Sequence, residues 1–135
     1  MAEMSETERR LAALEAQHKK IAEVEWNGHR LVFRRPTREE CRQYRVALED
    51  PVSKADANEH ILQQTIVAFD DETNATAARM RYNPGFLDEH PMFASTAKVK
   101  LALGAMMGLV EEADLVDLGK GVTVRPAIRS GTPQV

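Results

Sequence analysis

The chain has 135 residues, of which 43% are hydrophobic, 29% charged and 5% aromatic, and its formal charge is −3, which places it among ordinary globular proteins. Its longest apolar run, residues 101–110, is shorter than the roughly 18 residues that a membrane-spanning helix requires. The single cysteine, Cys41, cannot form an internal disulfide, and the N-terminus is acidic where a secretory signal would be basic and then apolar. We therefore expect a cytoplasmic domain with no metal and no cofactor.

Charge is unevenly distributed along the chain. Residues 1–28 sum to −2 and residues 46–135 to −5, whereas residues 29–45 carry six arginines against two glutamates. Arginine binds carboxylates and phosphates through a planar fork, so this segment is a candidate site for an acidic protein surface or for nucleic acid. Solvation, or pairing with Glu39, Glu40 and Glu49, is the alternative. We call the six residues the arginine island: Arg30, Arg34, Arg35, Arg38, Arg42 and Arg45.

The first predicted element is an amphipathic helix over residues 3–20. Good helix formers dominate the segment, and Ser5 with Glu8 forms a candidate capping box. Leu11, Leu14 and His18 mark one face. This helical arm, residues 1–20, either pairs subunits or lies on its own domain.

A β-hairpin is predicted next. Val24 and Trp26, and then Leu31 and Phe33, alternate around Asn27-Gly28. Asn-Gly accepts the positive φ angles of a type I′ turn. Because two strands alone are marginally stable in water, the apolar face that includes Trp26 must pack on helices or on another copy of the chain.

Three helices and a short helical segment are predicted to follow. Thr37 with Glu40 forms a capping box for a helix over residues 38–49, with Cys41, Tyr44 and Leu48 as its inward stripe and the arginines on another face. A 3.6-residue apolar period predicts a core helix over residues 53–69. Residues 73–82 are predicted as a short helix before a turn at 83–85, and residues 91–112 as an apolar helix that begins at Pro91. Together with the hairpin these elements form a core domain over residues 21–112.

The tail, residues 113–135, is rich in glycine and proline and is predicted to be flexible, with at most one edge strand at residues 122–124. The predicted fold class is α+β: an N-terminal hairpin packed on three to four helices, with the extra N-terminal helix and this tail.

Methionine supplies a second candidate surface. Met92, Met106 and Met107 lie with Val110 on the predicted apolar helix, and methionine can adapt to varied apolar partners. Burial in the core is the alternative.

The usual signatures of catalysis are not found in the sequence. Residues 104–108 (GAMMG) lack the lysine of a phosphate loop. Cys41 has no histidine placed near it by a motif, and His60 and His90 lack the close ligand spacing of a metal site. We therefore expect the protein not to be an enzyme.

Several short segments resemble the small tail assembly chaperones of long-tailed bacteriophages. They span about residues 21–109 and are residues 31–37 (LVFRRPT) with Glu40 and Tyr44, residues 84–86 (PGF), and Leu103-Gly104 or Gly108. The helix before residue 21, Cys41 in place of a larger aromatic residue, and the tail after Leu109 depart from the family pattern.

The resemblance implies a self-associating chaperone that binds the tape measure protein, keeps it soluble and helps to recruit tail tube subunits. Two alternatives remain open. One is a small nucleic-acid-binding regulator that uses the arginine island, although the chain as a whole is acidic. The other is a structural tail or connector subunit, which would remain in mature particles.

Overall fold

The hairpin at Asn27-Gly28 is the centre of the structure. The computed structural model describes residues 5–108 and 121–125. Strands β1 (Ile21–Trp26) and β2 (His29–Arg34) pair antiparallel from Ile21 opposite Arg34 to Trp26 opposite His29. Asn27 has φ 49° and Gly28 has φ 83°, as a type I′ turn requires, so the predicted hairpin is confirmed.

Two further strands extend the hairpin into a four-stranded antiparallel sheet. The strand order is β3-β2-β1-β4, with β3 at Ile66–Phe69 and β4 at Val122–Arg125. Side chains of a strand alternate between faces, and both faces of this sheet are apolar. One contributes Ala22, Val24, Leu31 and Phe33 to the large core shared with the helices.

The second face of the sheet is covered by α1 (Glu6–His18). Leu11 and Leu14 of this helix are buried against Ile21, Val32 and other residues of the sheet. Ser5 Oγ accepts a hydrogen bond from the Glu8 amide at 3.0 Å and so caps the helix. The N-terminal helix therefore lies on its own domain, one of the two alternatives left open by the sequence.

Helix α2 (Arg38–Glu49) has the predicted bounds, but the core helix that follows it is shorter than predicted. After a 3₁₀ turn at Lys54–Asp56, α3 covers Ala57–Thr65. The prediction of helix through residue 69 is wrong, because Ile66–Phe69 forms β3 and pairs with β2. All four residues of β3 are buried, and a strand buried on both faces reads as an unbroken apolar run that a helical period also fits.

The later helices are also shorter than predicted. Helix α4 covers Ala75–Met80, and the backbone then departs from helical geometry at Asn83 before the single turn α5 (Leu87–Glu89). The last helix, α6, covers Ala97–Met106 and is capped by Thr96 rather than begun by Pro91. Gly108, at φ 78°, follows its end in the left-handed conformation that commonly terminates helices.

Strand β4 confirms the predicted edge strand and ties the tail to the sheet. It pairs antiparallel with β1, and Arg125 forms ion pairs with Glu8 at 3.1 Å and with Glu15 at 3.5 Å on α1. The α+β class is thus confirmed, with four strands where the sequence predicted a hairpin and one edge strand. The remaining predicted tail, and the end of the helix predicted to reach residue 112, lie outside the described residues.

Candidate functional site

The arginine island is divided by the fold into paired and unpaired side chains. Arg34 donates two hydrogen bonds to the Glu40 carboxylate, at 2.8 and 2.9 Å, and a third to the Gln64 carbonyl at 3.0 Å. Arg30 pairs with Glu23 on the sheet, and Arg42 pairs with Glu39 one turn earlier on α2. The predicted pairing with Glu39 and Glu40 is therefore present, whereas Glu49 forms no ion pair with any described residue.

Glu40 fixes the start of α2. Thr37 Oγ accepts from the Glu40 amide at 3.1 Å, and Glu40 Oε1 accepts from the Thr37 amide at 2.9 Å, so the predicted capping box is complete. The hydrogen bonds from Arg34, followed by the backbone bond from Thr37, hold the pKa of Glu40 below its ordinary value even though burial opposes the shift. Arg34 and Glu40 are thus structural residues that join β2, α2 and α3.

The other three arginines have no partner in the described part of the chain. Arg35, Arg38 and Arg45 are exposed and form no ion pair there. Arg38 and Arg45 are seven residues, or two helical turns, apart on α2, so they lie on the same side of the helix. These two are available to an external acidic group.

The sequence predicted that the apolar stripe of α2 is buried, and this prediction is wrong. Every residue of α2 is described and none is buried: Cys41 and Tyr44 are half-buried, and Leu48 is 38% exposed. The Tyr44 hydroxyl hydrogen-bonds Asn58, whose amide donates to the Ala94 carbonyl at 2.9 Å. Tyr44 therefore anchors α2 at one point, while the helix leaves the rest of its stripe beside an open groove.

We call this depression the α2 groove. Its main part has a volume of about 740 Å³, with Cys41, Tyr44, Leu48 and Met107 as the apolar lining and Arg38, Glu39, Arg42 and Arg45 as the charged lining. A second depression of about 480 Å³ shares Tyr44 and Leu48 with the first and adds Lys54 and Lys100. The two form one surface with an apolar floor and a basic rim.

Cys41 in the floor is suited to packing rather than to catalysis. Burial, followed by the nearby Glu40 carboxylate, raises the pKa of its thiol above the ordinary value. A cysteine nucleophile needs the opposite shift, because the thiolate is the reactive form.

The methionines do not form one surface. Met92 is 69% exposed, Met106 is 3% exposed within the core, and Met107 lines the α2 groove. The interpretation of Met106 as a partner contact does not fit its position in the core, since α6 turns it toward the sheet. Val110 lies outside the described residues.

Trp26 does not line the α2 groove. Its ring packs edge-on against Phe93, with centroids 5.6 Å apart, and the Lys98 ammonium lies 6.0 Å from its centroid. The helices thus cover the hairpin face that contains Trp26. Of the two alternatives that the sequence left open, helices or another copy of the chain, this is the first.

A polar cluster stands at the hairpin turn. His29 hydrogen-bonds the Asp70 carboxylate at 3.0 Å, the same carboxylate accepts from the Arg30 amide at 2.9 Å, and Asn27 lies 3.4 Å from His90. The two contacts of Asp70 hold the end of β3 to the hairpin, and the contact of Asn27 joins the turn to the end of α5. Among residues 5–108 and 121–125, no three histidine, cysteine or acidic side chains come together as a metal site would require.

Lys54 and Lys100 were missed by sequence reasoning. Lys54 follows the arginine island after the helix break at Asp50-Pro51, and Lys100 is distant from it in the chain; nothing in their local sequence distinguishes them from ordinary surface lysines. The spacing of Cys41, Tyr44 and Leu48 beside three arginines did contain a signal for a basic amphipathic surface, but periodicity alone assigns such a stripe to the core.

Comparisons of the chain with protein-family models, with curated proteins and with solved structures gave no match. In the part of the chain that the structure describes, no helix combines the length and the apolar character needed to cross a membrane.

Proposed function

We propose that the chain is a non-enzymatic tail assembly chaperone that binds the tape measure protein, keeps it soluble and helps to recruit tail tube subunits. Its place of action would be the cytoplasm of the phage host, and self-association would accompany it. The family comes from the sequence resemblance. The observation that carries a binding role is the α2 groove, where an apolar floor and unpaired arginines lie on a helix anchored by Tyr44 and Glu40.

A groove of this composition suits a helical client. In helix-in-groove recognition, a helix places its apolar stripe on an apolar floor, while charged residues at the rim set orientation and partner choice. Leu48 is exposed enough to be covered by a partner and is not required by the core.

The first prediction concerns client solubility. Co-expression of the full chain with a tape measure fragment should raise the soluble fraction of the fragment, and the two should co-purify. Leu48→Asp should remove most of this effect, because it places a charge on the groove floor. The soluble fraction on a gel and the amount retained on an affinity resin give the measurement.

Val46→Asp is the matched control. Val46 is on the same helix, is 55% exposed and is not part of the groove lining, so this variant should behave as the original chain does. Absence of co-purification with the unmodified chain, or equal loss in both variants, would contradict the proposal.

A nucleic-acid-binding regulator is the second candidate, since Arg35, Arg38 and Arg45 have no ion-pair partner among the described residues. Phosphate contacts release counterions, so a gel shift that weakens with salt and is lost in Arg38→Glu/Arg45→Glu would favour it. A structural tail or connector subunit would instead be found in mature particles.

A further inference from the structure

We propose that the α2 groove recognises an amphipathic helix that carries acidic side chains on both flanks of its apolar stripe. The inference rests on the proposed chaperone function, because that function makes the partner a client protein. It adds the chemistry of the client segment that binds.

The shape of the groove sets the length of its occupant. Cys41, Tyr44 and Leu48 follow one line along α2, and the second depression continues this line to Pro51. The 12 residues of α2 span about 18 Å at the helical rise of about 1.5 Å per residue, so a partner helix of about 12–14 residues would cover the floor.

The charges of the groove set the character of the flanks. Five basic side chains and one acidic side chain line the two depressions, and the acidic one, Glu39, already accepts hydrogen bonds from Arg42 and Gln43. Arg38 and Arg45 in the first depression, and Lys54 and Lys100 in the second, form no ion pair with a described residue. A helix with carboxylates on both flanks supplies the missing counter-charges, whereas a basic helix would be repelled.

Other occupants fit the groove less well. A second copy that met this face through its own α2 would bring Arg38 and Arg45 close to their equivalents, because a two-fold interface pairs a surface with itself. Nucleic acid would engage the arginines but leave Tyr44, Leu48 and Met107 without an apolar partner. An acidic amphipathic helix satisfies both the floor and the rim.

The test uses the full chain and three labelled synthetic peptides of 14 residues, a length chosen from the helical rise of about 1.5 Å per residue. The first has a leucine stripe with flanking glutamates, the second replaces every glutamate with lysine, and the third keeps the glutamates but replaces every leucine with serine. Fluorescence anisotropy measures binding. We expect saturable binding of the first peptide and at least about tenfold weaker binding of the other two.

Charge reversal in the protein provides the second arm. Arg38→Glu/Arg45→Glu should weaken the binding of the glutamate peptide by about tenfold or more and should strengthen the binding of the lysine peptide. Arg9→Glu/Lys19→Glu is the matched control, because it changes the net charge equally at two exposed basic residues outside the groove. Its affinity for the glutamate peptide should stay within about twofold of the original.

Four results would overturn the proposal. The first is equal affinity of the chain for the glutamate and lysine peptides, and the second is equal affinity for the glutamate and serine peptides. The third is an equal loss of affinity for the glutamate peptide in the two double variants, and the fourth is no binding of the glutamate peptide at all. Displacement of the peptide by a single-stranded oligonucleotide that binds more tightly would assign the groove to nucleic acid. Binding that appears only after Glu111→Lys/Asp114→Lys would assign it to the chain's own acidic segment.

The outcomes separate this inference from the chaperone function. Co-purification of the tape measure fragment without peptide binding would support the chaperone function but place the client-binding site outside the α2 groove. Peptide binding without any effect on the fragment would keep the acidic-helix specificity and remove the chaperone assignment.

Discussion

At the scale of single residues, Arg34 and Glu40 connect three elements through one ion pair. Arg34 extends from β2 to the start of α2 and to the carbonyl of Gln64 near the end of α3. Glu40 also closes the capping box with Thr37. Both side chains are partly buried, so this pair is screened less by solvent than an exposed one.

Replacing Arg34 tests how much this ion pair contributes to the free energy of unfolding. Arg34→Ala should lower the free energy of unfolding by about 1–3 kcal/mol, because it leaves the Glu40 carboxylate partly buried without its donor. Arg42→Ala, which breaks the exposed pair with Glu39, should lower the free energy of unfolding by clearly less than Arg34→Ala does. Urea denaturation of both variants gives the comparison, and equal losses would contradict the structural role of Arg34.

Glu40 also predicts a dependence on pH. Its pKa in the folded state lies below the ordinary value of 4.5, so the native state favours the ionised carboxylate. Its stabilising contribution is therefore complete above this ordinary value and is lost as the pH falls through it toward the lower folded-state pKa. Glu40→Gln should reduce the loss of stability between neutral and acidic pH; unchanged acid sensitivity in urea titrations would contradict this assignment.

At the scale of elements, α1 belongs to the fold. Leu11 and Leu14 fill the second face of the sheet, and Arg125 holds α1 to β4. The same two leucines were equally compatible with a pairing arm in the sequence, because a short apolar stripe does not specify what covers it.

Leu14→Ala should therefore destabilise the monomer fold. Removal of a buried leucine side chain costs about 2–5 kcal/mol, and the loss should appear in thermal or urea unfolding without dependence on protein concentration. A variant that unfolds normally but changes oligomeric state would show that α1 acts between subunits.

Predictability from sequence also differs between elements. The hairpin and the start of α2 were predicted correctly because Asn27-Gly28 and Thr37 with Glu40 determine backbone geometry locally. Strand β3 was missed, since its burial depends on α1 and the other helices rather than on its own pattern. The groove was missed for the converse reason: a stripe such as Cys41, Tyr44 and Leu48 reveals its apolar character but not whether another element covers it.

At the scale of the whole molecule, the sheet is buried on both faces while α2 lies at the periphery. β1 and β2 occupy the middle of the strand order and contribute to both apolar clusters. α2 contributes no buried residue and contacts the core mainly through Tyr44.

Amide hydrogen exchange should reflect this arrangement. Amides of β1 and β2 should exchange only on global unfolding, whereas those of α2 should exchange through local opening at least about tenfold faster. Addition of the glutamate peptide should slow exchange in α2. Protection of α2 equal to that of the sheet, with no peptide present, would contradict this division.

The peripheral position of α2 has a consequence for how the protein can diversify. Exposed residues away from special features usually change stability by less than about 0.5 kcal/mol when replaced, so Arg38, Arg45 and Leu48 can vary with little effect on folding. Tyr44 and Glu40 hold the helix in place and are not free in this way. Substitutions on the outer surface of this one helix can therefore change which partner is preferred, while the rest of the molecule stays the same.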